Sequence, residues 1–274
     1  MLELPEAEAR ARQLNETLGN RKIATVEIGA SPHRFAFYSA EPEEYRRHLV
    51  GRHFSGARGL GGQLEFTAGD YALAFSDGVN LRWLPAGERP PATHQLLIHF
   101  EDGSALAGTI QMYGFLTLFP KGGIPNDYYR VALEKPSPLT DRFSESYFMG
   151  LLDQCRPKLK IKAVLATEQR IPGLGNGVLQ DILFNARIHP KSELAALSQP
   201  RRRALFHSVK RTLTAMAAAG GRDTEKDLFG RPGGYRTLLS ANTRNRPCPI
   251  CGGPITRQAL LGGNVYFCAA CQPL

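Results

Sequence analysis

No apolar run in these 274 residues approaches the length needed to cross a bilayer. No basic-then-apolar leader stands ahead of Glu3. A soluble cytoplasmic protein without a membrane partner is therefore expected. Cysteine is scarce: of five, four fall within residues 248–271. A disulfide framework spread over a secreted domain is thereby excluded, and the four read as a local device. Cys155 stands alone in a helix-like stretch and reads as packing. Lysine is missing altogether between Lys22 and Lys121. There is no internal repeat and no low-complexity tract.

What is present suits a globular chain. A hydrophobic fraction of 42% is enough for a sizeable core. The length allows one large domain, or two modest ones with a small module. Charge is split unevenly: residues 1–150 carry a net −3 and residues 151–274 a net +12. A polyanion is the expected partner, held by the second half. A merely solvated basic surface would read the same way.

The opening MLELPEAEAR can be read as a helix start. Pro5 suits a first turn, acidic Glu3 and Glu6 offset the positive helix end, and Gly19 marks the stop. Residues up to about Leu133 then alternate or run apolar with β-branched and aromatic side chains, separated by turns such as EDG at 101–103. Strands this dense, without intervening helices, suggest a β-sandwich. After the Pro-rich EKPSPLTD, four segments repeat near a 3.6 period: SESYFMGLLDQC, KIKAVLATEQ, NGVLQDILFNAR and QPRRRALFHSVKRTLTAMAAAG. A long polar, Gly-rich connector, GGRDTEKDLFGRPGGYRT, follows; a loop of that length is usually functional. The expected division is a sandwich over 1–133, a helical domain over 134–243 and a small module over 244–274.

Within that module Cys248 and Cys251 form one C-x-x-C pair, Cys268 and Cys271 another, with 16 residues between Cys251 and Cys268. Two such knuckles around a hairpin place four thiolates in tetrahedral reach of one Zn²⁺. With four sulfur ligands the metal has no open position, so its role is structural. The turn RIPGLGNG, ahead of a helix, offers backbone N–H groups suited to phosphate. Lys158, Lys160 and Lys162 lie upstream; Arg201, Arg202, Arg203, Lys210 and Arg211 lie downstream. A solvated helix face is the competing reading of the downstream cluster.

Taken in order, the M-x-E-L-P-E start, the β-rich first half, the K-x-x-L…PGLGN element and the terminal four-cysteine finger resemble the formamidopyrimidine-DNA glycosylase / endonuclease VIII family. The resemblance covers essentially the whole chain. It implies an α+β fold: an N-terminal β-sandwich with an opening helix, then a helix–two-turns–helix domain and a zinc finger. It implies duplex DNA in the cleft between domains, a damaged base flipped out of the stack, nucleoid association and a monomeric protein. In the family a Pro at position 2 attacks the sugar carbon as a Schiff-base nucleophile and the following Glu handles protons. Glu3 matches that acid, Glu6 the second carboxylate, and Asn176 the Asn of the phosphate clamp. By the same resemblance Lys162, Gly175, Gln111, Tyr113, Arg236 and Arg257 would also contact DNA.

Several positions depart from the pattern. Leu2 stands where Pro is expected, and so bulky a second residue implies that Met1 stays, leaving only its primary amine. Gly62 stands where a first-domain Lys is expected. The finger's Arg falls near Gly263, with Arg257 close but displaced. Void-filling Met, Arg and Phe are replaced by Val79 or Asn80, Gln111 and Tyr113. Two functions follow. One is a glycosylase that uses Glu3 to activate water, with little strand cleavage. The other is a binder of damaged or distorted DNA without catalysis.

Overall fold

The computed structural model describes all residues, Met1–Leu274. The first half runs α1 (Leu4–Leu18), β1 (Ile23–Ile28), β2 (Ala36–Tyr38), α2 (Pro42–Leu49), β3 (Phe54–Leu60), β4 (Gln63–Ala68), β5 (Tyr71–Leu84), β6 (Leu96–Phe100), β7 (Ala105–Pro120) and α3 (Asp127–Glu134). The second half runs α4 (Glu145–Asp153), α5 (Ile161–Ala166), α6 (Asn176–Asn185), a 3₁₀ turn at Leu194–Ala196 and α7 (Gln199–Ala218). The hairpin β8 (Thr256–Leu260) and β9 (Gly263–Phe267) completes the chain. No helix is long and apolar enough to cross a membrane.

The strands of the first half hydrogen-bond in the order β1-β6-β7-β5-β4-β3, with β2 beside β7. The sandwich is one connected sheet bent back over its own core. The bend lies where the long strands β5 and β7 break register, between Asp77 and Val79. There Asp77 and Met112 adopt φ of 59° and 65°, a conformation costly for residues with a Cβ. Phe66, Phe75, Leu81, Ile98 and Leu106 fill the space between the layers. The expectation of strands without helices is corrected: α2 interrupts them and α3 follows the last of them. Pro42 opens α2 at a position where a missing N–H costs nothing, and Asn126 caps α3 by accepting from the Tyr129 N–H.

A second core gathers α4 to α7 around Phe148, Val164, Ile182, Leu205 and Leu213. The opening helix joins the two. Leu2, Ala7, Leu14 and Leu18 belong to the sheet core, whereas Leu4 belongs to the helical core. The start of α1 therefore sits at the seam, and the chain's first residues are fixed by both halves.

Candidate functional site

At that seam the backbone is stitched across the domains. The Leu4 N–H donates across it to the Gly173 carbonyl at 2.9 Å, while the Leu2 N–H donates within the first domain to the Asp77 carbonyl at 2.6 Å. Glu3 is the N-cap residue of α1, but its side chain makes no cap there. Its carboxylate turns to a different helix: Oε1 accepts from the Gly177 N–H and Oε2 from the Val178 N–H, each at 2.8 Å. The positive end that holds Glu3 is thus that of α6, not of α1. These are amides that sequence reasoning reserved for a phosphate; the anion bound there is the protein's own. Close approach explains two glycines. A Cβ at Gly175 would lie 2.5 Å from Glu3 Oε1, and one at Gly177 would lie 1.6 Å from Arg222 Nη1.

Arg222 comes from the long connector, thrown inward by the turn at Gly220 and Gly221, with φ of 80° and 100°. It is buried, as are both acids. Its Nε and Nη2 reach the two Glu6 oxygens at 2.9 Å each, its backbone N–H adds a third bond, and Nη1 stands 3.5 Å from Glu3. Burial is the largest influence on each carboxyl and raises its pKa. For Glu6 the charge and hydrogen bonds of Arg222 outweigh burial, and the pKa falls below the ordinary value. For Glu3 burial prevails over Arg222 and the α6 amides, helped by the neighbouring Glu6 charge, and the pKa rises. Two carboxylates one helical turn apart are thereby driven in opposite directions.

A cavity of about 190 Å³ opens beside Glu3, lined by Met1, Leu2, Gly62, Asp77, Tyr128 and Gln169 among others. The Met1 ammonium lies 2.7 Å from Glu225. Leu2 is buried in the sheet core. No side chain fits at position 62 without displacing a neighbour: a Cβ there would meet the Leu2 carbonyl and the Tyr128 hydroxyl, both at 3.2 Å. The turn at Gly61 and Gly62 is pressed against Pro172 and Gly173 of the α6 approach. Asp77 is raised in pKa by burial, against the pull of Ser76 and the terminal amine, and the Tyr128 phenol is raised by burial and nearby Asp77.

Lys162 and Asn176 gather against the finger hairpin on the far side of the α6 start, whereas Gly175 lies beside Glu3. Asn176 Nδ2 donates to the Asn264 carbonyl at 2.7 Å, Lys162 Nζ donates to the Leu260 carbonyl, and the Asn176 Oδ1 is buried without a partner. A Cβ at Gly263 would touch both side chains, at 3.3 Å and 3.5 Å. Position 263 therefore converges with Lys162 and Asn176. Arg257 is exposed on β8, its Nε on Asn264 Oδ1 at 3.1 Å. Arg236 is exposed on the connector. Gln111 and Tyr113 are exposed on either side of the Met112 bend in β7, apart from the Lys162 group. Val79 is fully buried, so it is not available to fill a void. The downstream basic cluster is largely committed within the fold: Arg202 to Asp153, Arg203 to Glu145 and Lys210 to the Thr140 carbonyl.

The four finger thiols lie within 4.8 Å of one another, with sulfurs 3.8 Å apart for Cys248 and Cys271 and 3.4 Å for Cys251 and Cys268. Zn–S bonds of 2.3 Å in a tetrahedron place sulfurs about 3.8 Å apart, so the donor set fits one zinc. The finger is docked on α6 through Gln180, which donates to the Asn264 carbonyl and accepts from the Tyr266 N–H.

Arg222, Asp77, Tyr128 and Gln169 were not singled out by sequence. For Arg222 a signal existed, since the glycine pair before it lies in the connector flagged as functional. For the other three there was none.

Comparison with known proteins agrees with this architecture. Residues 1–134 match the formamidopyrimidine-DNA glycosylase N-terminal domain, and residues 135–227 match the formamidopyrimidine-DNA glycosylase H2TH domain. The chain is 30% identical to a formamidopyrimidine-DNA glycosylase of Shouchella clausii, over 100% of this chain and 99% of the relative. It is 31% identical to that of Geotalea uraniireducens, over 99% and 100%. Among solved structures it is similar to Lactococcus lactis Fpg bound to DNA containing an abasic site, with TM-score 0.85, 25% identity and coverage of 99% and 100%. The complex of that protein with N7-benzyl-Fapy-dG DNA gives TM-score 0.86 at the same identity and coverage. A helix pinned across two domains, a GLGN turn at their seam, a four-thiol finger and full-length similarity all converge: the chain belongs to the formamidopyrimidine-DNA glycosylase family.

Proposed function

We propose that this protein binds damaged duplex DNA and releases a flipped base by hydrolysis, with little strand cleavage through a Schiff base. The observation that carries the reading is the fate of the two amine positions. Leu2 is a buried hydrocarbon, and Gly62 is closed in by Leu2 and Tyr128. The remaining terminal amine is a primary one, held 2.7 Å from the Glu225 carboxylate, in place of the secondary amine that a Pro at position 2 would supply. The family's retained acid, Glu3, is in place beside a cavity that holds both positions.

In this reading water attacks the sugar carbon and the C–N bond to the base breaks. Glu3 positions the water and takes its proton, and the base departs with the bonding pair. Burial raises the Glu3 carboxyl above its ordinary value, which makes its carboxylate a stronger base for that proton. Flipping is required because the glycosidic carbon is unreachable inside the stack. Lys162, Gly175, Asn176, Gln111, Tyr113, Arg236 and Arg257 are the residues we assign to DNA contact, with zinc holding the finger in register. The solved relatives were captured with abasic-site and Fapy-dG-type DNA, which makes these the first substrates to test.

One observation favours a second reading, a binder without catalysis: both Glu3 oxygens are already engaged by the Gly177 and Val178 amides. Base release from duplexes carrying single lesions, with borohydride trapping in parallel, separates the two. Free base without a trapped adduct supports hydrolysis, and its loss in Glu3→Gln assigns the step. Binding without release supports the second reading, and efficient trapping overturns both. Affinity should fall steeply with salt as neutralised phosphates release counterions.

A further inference from the structure

One outward face of the sheet carries aromatic rings that nothing covers. β2 runs parallel to β7, with Ala36 opposite Gly114, Phe37 opposite Phe115 and Tyr38 opposite Leu116. Alternation sends Ala36, Tyr38 and Leu116 to the core and leaves Phe35, Phe37 and Phe115 outside, 47%, 42% and 40% exposed. Phe37 and Phe115 stack with centroids 4.7 Å apart and planes 21° from parallel. The Arg34 guanidinium stands 5.2 Å from the Phe35 ring and makes no ion pair. The Phe35 carbonyl accepts from the Gly114 N–H, which pins this edge to β7.

We propose that Phe35, Phe37 and Phe115, with Arg34, form a stacking platform for unpaired nucleobases of bound DNA. Stacked rings on a stiff strand, flanked by a free guanidinium, are the elements that hold single-stranded nucleic acid without reading its sequence. The platform is continuous with the site: one step along β7 from Phe115, Gly114 pairs with Asp77, which lines the cavity beside Glu3. A strand engaged at that cavity and opened around a flipped base has unpaired neighbours to lay on these rings. The inference rests on the proposed placement of DNA at the Glu3 cavity, and it adds a preference for locally unpaired DNA.

The test compares two duplexes that carry the same tetrahydrofuran abasic analogue, one fully paired and one with three unpaired thymidines beside it. Affinities are read by fluorescence anisotropy. The wild type should bind the unpaired form about tenfold more tightly, in line with the strength of base–aromatic stacking. Phe37→Ala with Phe115→Ala should abolish that preference while leaving affinity for the paired duplex within about twofold. Phe37→Leu with Phe115→Leu keeps the apolar area and should abolish it too. Equal wild-type affinities, or a preference that survives in the leucine pair, would overturn the platform while leaving the glycosylase reading intact. A wild-type dimer that the alanine pair dissociates would make this face a self-interface and overturn it as well. Failure to bind either duplex would sink both readings.

Discussion

The Glu6 carboxylate and the Arg222 guanidinium meet as two parallel hydrogen bonds of 2.9 Å, 216 residues apart in sequence and both buried at the domain seam. Such a fork fixes orientation as well as charge. Through it the connector that carries Arg222 is tied to the first turn of the opening helix, and the same guanidinium stands beside Glu3.

Removing one partner strands the other in a low-dielectric site. Glu6→Gln and Arg222→Met should each destabilise the protein by about 3–5 kcal/mol, and the double variant by clearly less than the sum. Urea unfolding at pH 7 reads this directly. Because the folded pKa of Glu6 lies below its ordinary value, the pair's contribution is present above the unfolded carboxyl range and is lost as pH falls through the folded pKa. A wild type whose acid sensitivity matched that of Glu6→Gln would contradict this.

Restoring the family's lysine should fail. In Gly62→Lys the new Cβ comes within 3.2 Å of the Leu2 carbonyl and the Tyr128 hydroxyl, so the tightly packed seam must give by a few tenths of an ångström to take the added side chain. Borohydride trapping is expected to stay at the wild-type level, and thermal stability to drop. A strong increase in trapped adduct would show that the seam opens to admit an amine.

The finger should carry one zinc per chain, measurable by elemental analysis of purified protein. Cys248→Ser should release the metal and unfold the finger, since ligation and folding are one equilibrium in such a module. The loss should spread to α6. Asn176 and Gln180 both donate to the Asn264 carbonyl on the finger hairpin, so their amide signals should broaden with those of β8 and β9. Zinc well below one per chain would rule this out.

Asp181 sits under the segment that leads to the finger, its oxygens accepting from the Leu238 and Leu239 N–H groups at 2.9 Å each. Burial nevertheless pushes its carboxyl up to about 6. Between the unfolded value near 4 and this one, the folded state binds the proton more tightly, so this group's contribution to stability declines as pH rises and levels off above about 6. Measured against Asp181→Asn, the wild type should lose about 2 kcal/mol between pH 4 and pH 7. A difference that stayed constant with pH would mean the carboxyl is not raised.

Much of the architecture was legible without coordinates because it is written in short spacings. The 3.6 period marked α4 to α7, Pro5 and Gly19 bracketed α1, and two C-x-x-C pairs announced the metal site before any fold was known. Glu3 and Glu6 could be named as well, since they lie in a fixed frame at the start of the chain. Other expectations met competition that only the assembled chain could reveal. The α6 amides were free for a phosphate until the domains docked and delivered Glu3 to them. Arg202 and Arg203 of α7 read as free charge until the fold paired them with Asp153 and Glu145 at the surface. Gly62 was merely a missing lysine until Leu2, Tyr128 and Gly173 closed around it. Sequence alone determined which elements form and which residue types stand at the site, because turns, caps and ligand spacings depend on near neighbours. Tertiary structure alone decided that Glu3 caps a helix 173 residues away, that Arg222 holds Glu6 ionised and that Gly62 packs against Leu2 and Tyr128, because burial and charge pairing depend on which groups the folded chain brings within a few ångströms.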